Sequence, residues 1–90
     1  IKNTANNTET AIACKGVFIA VGLVPATDFI NGIVTLDKSG YIEADESCLT
    51  NIPGVFAAGD CRTKSTRQIT TATADGAAAA LAACRMLGQA

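Results

Sequence analysis

An α/β fold with short β-hairpins, one buried strand and a long C-terminal helix is what this sequence predicts, and three observations carry the prediction. Val55 to Ala58 is apolar without alternation, the pattern of a strand covered on both faces, and Gly59 and Asp60 close it. From about Arg67 to Leu87 the chain is rich in alanine, the best helix former. Upstream, short β-prone runs alternate with Asn, Asp, Ser and Gly.

Taken in order, Ile1 to Thr4 reads as a strand, Ala5 to Glu9 as a hairpin turn and Thr10 to Cys14 as its antiparallel return. Lys15-Gly16 breaks the pattern, and Val17 to Val21 forms a strongly apolar strand that Gly22 ends. Val24-Pro25-Ala26 leaves in an extended course, because the residue before a proline avoids the helical region. Asp28 to Gly32 reads as a helical turn. Val34 to Leu36 and Tyr41 to Glu43 form a hairpin around Asp37-Lys38-Ser39-Gly40, with Gly40 as the left-handed residue. Asp45 to Asn51 is a polar loop anchored beneath by Cys48 and Leu49. Ile52-Pro53-Gly54-Val55 suits a type II turn, with Pro53 fixing φ and Gly54 supplying the positive φ.

In the last helix Ala72, Gly76, Ala80 and Cys84 fall four apart and form a ridge of small side chains, with Ile69, Thr73, Leu81 and Leu87 near it. The plainer reading is that alanine simply favours helix. Gly76 costs about 1 kcal/mol against alanine in a helix interior, which points to a compensating close contact. Asp75 reads as solvent-facing or paired, and no chemistry is assigned to it.

Composition excludes several function classes. Seven basic and eight acidic residues give a net charge of −1, and no run of either sign suggests a nucleic-acid or membrane surface. Histidine is absent, so neither a catalytic triad nor a zinc site has support, and no catalytic residue or metal ligand is assigned. The longest apolar run, Ala77 to Cys84, falls far short of the roughly 20 residues of a membrane span. Cys14, Cys48, Cys61 and Cys84 lack CxxC or metal spacing and read as small buried hydrophobes in a reducing cytosol. Ninety residues allow one small domain at most, and the chain opens on Ile1 without a secretory signal or a GxGxxG turn. The expectation is a soluble, cytoplasmic piece of a larger protein.

The chemistry gathers at two places. Gly59 and Asp60 lie at the carboxyl end of the predicted strand, where α/β sheets bind ligands. Without a Cβ, Gly59 lets a ligand touch the backbone, and Asp60, ionised and acceptor-only, suits a sugar or ribityl hydroxyl. Arg67, Gln68 and Ile69 fall in the first helical turn, where free N–H groups and the positive dipole end favour the negative charge that a flavin gains near N1 on reduction. A turn or N-cap role for Asp60 is the plainer alternative.

The stretch Tyr41 to Leu87, with PGVFAAGD, the RQ dipeptide and the Ala/Gly-rich helix, resembles the C-terminal end of the low-molecular-weight thioredoxin reductases. Gly16 to Thr27, GVFIAVGLVPAT, fits the same family upstream. The resemblance implies a partial FAD-binding, Rossmann-like domain in which Asp60 binds the ribityl chain and Arg67, Gln68 and Ile69 contact the isoalloxazine or its approach. It implies that residues 1–23 are the tail of an NADPH-binding domain and 24–90 the C-terminal part of the FAD-binding domain. It further implies that NADPH reduces FAD, FAD a CxxC disulfide upstream, and the dithiol thioredoxin or a similar redox protein, in a homodimer. The 90 residues alone are expected to be inactive. Ile69 stands where the family often has alanine, and Cys61 where a small apolar residue commonly follows the aspartate. Two alternatives remain open: a dithiol-free, ferredoxin-type NAD(P)H-dependent flavoprotein reductase, and a non-catalytic module that dimerises through its small-residue helix.

Overall fold

The computed structural model describes residues 1–89, whose regular elements are a short 3-10 turn, Asp28–Ile30, and one long helix, α1, Ile69–Met86. Gln68 has extended backbone (φ −141°, ψ 161°), so the helix starts at Ile69. Arg67 therefore precedes it, Gln68 is its N-cap and only Ile69 lies in the first turn, a shift from the expected placement of all three. The Gln68 N–H is satisfied by the Thr71 hydroxyl at 3.1 Å. At the other end Gly88 takes φ +72°, its N–H bonds the Arg85 carbonyl at 3.0 Å, and the Gln89 N–H bonds the Cys84 carbonyl at 2.8 Å. This is a Schellman cap, which satisfies carbonyls that a helix end leaves free.

Among the described residues the expected strands are not seen as continuous ladders. Pairing is confined to isolated bridges: Lys2 with Glu9, Asn31 with Val34, Leu36 with Ile42, Ile42 with Arg62 and Leu49 with Phe56. Ile1 to Cys14 holds a single bridge. Among the described residues Val17 to Val21 has no β partner, and Phe18 and Val21 are 100% and 92% exposed. Val55 to Ala58 contributes only Phe56. A strand exists through its neighbours: among the described residues none lies beside Val17 to Val21, and the neighbours of the other runs pair at one residue only.

The core begins at Pro25. Every residue from Ile1 to Val24 is exposed, whereas Val34, Ile42 and Ala57 are buried, with Ile30, Leu36, Ala44, Ile52 and Cys61 packed against them. Ile42 joins both sides: it bridges Leu36, while its N–H bonds the Cys61 carbonyl at 2.9 Å and its carbonyl accepts the Thr63 N–H at 2.8 Å. Thr27, buried, ties the incoming chain to this unit by donating its hydroxyl to the Gly40 carbonyl at 2.6 Å. The radius of gyration is 19.1 Å, against about 12 Å for a compact chain of this length, so the exposed arm extends the molecule.

The packed face of α1 also departs from expectation. Asp75 is its buried residue, and Thr71, Ala72, Ala78, Ala79, Ala82 and Ala83 are half-buried around it. Gly76 and Ala80 of the expected ridge are exposed, and a Cβ on Gly76 would meet nothing within 4 Å. The helix is rotated so that a carboxylate, rather than the glycine, faces the core. Of the cysteines only Cys48 is fully buried, and Cys14 is exposed. Leu49, expected to anchor the loop, is 44% exposed.

Candidate functional site

The turn at Ile52–Val55 closes with the Val55 N–H on the Ile52 carbonyl at 3.1 Å and Gly54 at φ +83°. The chain then runs through Phe56 to buried Ala57, whose N–H bonds the Cys48 carbonyl at 2.9 Å. At Gly59 it bends with φ +90°, a conformation that side chains disfavour, and Asp60 emerges exposed.

Arg67 returns to this bend from the foot of α1. Its Nε donates to the Asp60 carbonyl at 3.0 Å and its terminal nitrogen to the Arg62 carbonyl at 3.1 Å, while the guanidinium stacks 3.7 Å from the Tyr41 ring centroid. A cleft of about 260 Å³ opens between the chain at Leu23–Ala26 and a wall of Tyr41, Asp60, Cys61 and Arg67. Asp60 and Arg67 are therefore brought together. Gln68 and Ile69 do not line the cleft; both are exposed, Ile69 by 87%. Gly59 stays buried behind Asp60.

Behind the bend lies a cluster that sequence reasoning missed. The Asp75 carboxylate accepts Arg62 through two bonds, Nε to Oδ2 and a terminal nitrogen to Oδ1, both at 2.8 Å. It also accepts the Lys64 ammonium at 2.7 Å and the Gly59 N–H at 2.9 Å, both on Oδ2. All three side chains are buried to within a few per cent. The bond from Arg62 above all, then those from Lys64 and Gly59, outweigh burial and hold the Asp75 carboxyl well below the usual carboxylate range. The same bond raises Arg62 further. Beneath them the Cys48 thiol donates to the Asp75 carbonyl at 3.4 Å, and burial first, then the Asp75 charge, pushes that thiol up. The signal that could have found the cluster is Asp75 on the same stripe as Thr71, Ala78 and Ala82, opposite a loop carrying Arg62 and Lys64.

Among the described residues no helix is long and apolar enough to cross a membrane. The pattern of the family described as pyridine nucleotide-disulphide oxidoreductase matches residues 1–76. A 34.2 kDa protein in the rubredoxin operon of Clostridium pasteurianum is 44% identical over 88 residues, 98% of this chain and 29% of its own length. A thioredoxin reductase of Listeria innocua is 51% identical over 74 residues, 82% of this chain and 23% of its own. In three dimensions the chain is similar to Lactococcus lactis thioredoxin reductase, with a TM-score of 0.81 and 44% identity, over 99% of this chain and 29% of that one. The chain thus spans less than a third of the relatives it matches. Most of its length, including the bend at Gly59-Asp60 and the start of α1, is covered by one family pattern, and this chain belongs to the pyridine nucleotide-disulphide oxidoreductase family.

Proposed function

We propose that this chain is the C-terminal part of an FAD- and NADPH-dependent thioredoxin-disulfide reductase, in which its own task is to hold the flavin. The observation that carries the reading is the convergence of Asp60, Arg67 and Tyr41 on one cleft beside the start of α1. The donor set fits part of a flavin nucleotide. Asp60 exposes an acceptor-only carboxylate suited to ribityl hydroxyls, and the first N–H groups of α1 have no intrahelical acceptor and suit the electron-rich edge of the ring. FAD, when bound, supplies the two-electron chemistry between pyridine nucleotide and disulfide.

Within that assembly Asp60 accepts hydrogen bonds and Gly59 keeps the backbone bare where the ligand approaches. Arg67 acts as a brace, because two of its donors are already committed to the carbonyls of Asp60 and Arg62. Ile69 contributes through its backbone N–H at the head of the helix, where side-chain identity matters little, which accommodates isoleucine at 69; Gln68, its N–H already held by the Thr71 hydroxyl, fixes the start of the helix as its N-cap. Residues 1–23 belong to the NADPH-binding domain and 24–90 to the FAD-binding domain, a division supported by the change from uniform exposure to a packed core at Pro25. Thioredoxin or a similar redox protein is the electron acceptor, in a cytoplasmic homodimer.

The test is Asp60→Ala in the full-length protein that contains this chain. The affinity of the apoprotein for FAD, read by fluorescence titration, is expected to fall about tenfold, a loss of about 1.4 kcal/mol in line with a charge-assisted hydrogen bond. Unchanged affinity would remove Asp60 from the site. The 90-residue chain by itself is expected to show no NADPH-dependent disulfide reduction, and measurable turnover by it would overturn the division of labour proposed here.

A further inference from the structure

We infer that Asp75 is the positioning residue of the flavin-binding bend, holding Gly59 and the basic loop in the one arrangement that leaves Asp60 on the cleft; the inference rests on the flavin reading above. Gly59 sits in the left-handed region at φ +90°, and a peptide beside such a residue can rotate unless its N–H is fixed. Asp75 fixes it with a bond of 2.9 Å from sixteen residues away. The same carboxylate grips Arg62 through two nitrogens and Lys64 through its ammonium, so both ends of the segment Gly59 to Lys64 are tied to one point on the second turn of α1.

Asp60 and Cys61 lie inside that tied segment and line the cleft. Arg67 closes it from outside through the carbonyls of Asp60 and Arg62. The bend and the head of the helix, the two halves of the candidate site, therefore move as one body. Every donor that meets the Asp75 carboxylate comes from the loop, and the cluster touches the cleft only through the backbone it holds. Asp75 acts on the ligand through Asp60.

A merely structural ion cluster and a positioning cluster respond differently to apolar replacement. Exchanging a buried ion cluster for well-packed apolar residues often preserves stability, but no apolar side chain can accept the Gly59 N–H. The experiment uses the full-length protein, stripped of flavin and titrated with FAD by fluorescence, with melting temperature measured on each apoprotein. Asp75→Asn is expected to weaken FAD binding about tenfold or more, as small misplacements of binding groups do, and Asp75→Glu to recover part of the loss. The triple variant Arg62→Met, Lys64→Met, Asp75→Leu is expected to regain the melting temperature while still binding FAD about tenfold more weakly. If that variant binds FAD as tightly as the parent, the cluster acts only through stability and the inference is overturned.

Amide exchange at Gly59 supplies a readout that needs no flavin. It is expected to quicken about tenfold or more in the triple variant, since a lost hydrogen bond removes protection. Unchanged protection at Gly59 overturns the positioning role whatever the flavin does. A parent protein that binds no FAD removes the flavin reading, and the functional half of this inference with it, whereas a parent that binds normally beside an unaffected Asp75→Asn removes the inference alone.

Discussion

Residues 11–26 and residues 59–75 make opposite use of their composition. The first segment holds the most apolar run upstream of the helix, and it is exposed nearly throughout, with Phe18 and Val21 open to solvent and, among the described residues, no hydrogen bond to the rest of the chain. The second carries Arg62, Lys64 and Asp75, and it buries all three side chains. Hydropathy alone would have assigned these segments the other way round. Burial follows partners: the charged groups find one another at 2.7 to 2.8 Å, while among the described residues nothing packs over the apolar run.

The largest effect expected from breaking this contrast is at Asp75. Asp75→Ala leaves Arg62 and Lys64 buried without a counter-charge and should cost about 3–5 kcal/mol in urea unfolding. Acid should weaken the cluster in the same direction. The folded carboxyl releases its proton at lower pH than the unfolded one, so its stabilisation is complete above about pH 3.9 and is lost as pH falls through the lower folded value. The stability difference between the parent and Asp75→Asn should therefore hold steady from pH 7 to 5 and shrink below about pH 4. A difference that shrinks near neutrality instead would mean that another group carries it.

Ile42→Ala removes the side chain at the centre of the apolar core and should cost about 2–5 kcal/mol, the upper end only if the cavity stays open. Gly59→Ala should cost less, about 1–2 kcal/mol. The added Cβ would meet only the Ala72 Cβ at an ordinary 3.8 Å, so the cost is one of backbone conformation at φ +90°. Thermal unfolding by circular dichroism separates the two. Phe18→Ser in the 90-residue chain should change stability by less than about 0.5 kcal/mol, because the ring touches no core. A larger loss would show that the arm packs, and the contrast between the segments would dissolve.

Local rules made the punctuation legible. Gly40 and Gly54 take the positive φ that their turns require, and α1 begins within two residues of the expected place and stops at Met86, before Leu87 and Gly88. Asp60 and Arg67 could be singled out because a dipeptide at a strand end and another before an alanine-rich helix are local patterns. Pairing between runs distant in sequence was not legible, since a β-prone run records only that it can pair. Val17 to Val21 and Val55 to Ala58 satisfy strand propensity, yet ladders depend on neighbours distant in sequence. Asp75 escaped for a related reason. Its meaning depends on which way α1 is rolled, and the small residues around that helix leave the roll undetermined until Arg62 and Lys64 are opposite it.

The bare arm also bears on how the chain behaves in company. Val17 to Val21 combines β-branched and aromatic residues with unpaired backbone donors and acceptors, and Lys15 is the one charge between Thr10 and Thr27. Such a segment is a template for intermolecular β-pairing. Isolated 90-residue chains are expected to associate through it as concentration rises, read by light scattering, and a charged residue set beside Lys15 to act as a gatekeeper against that growth.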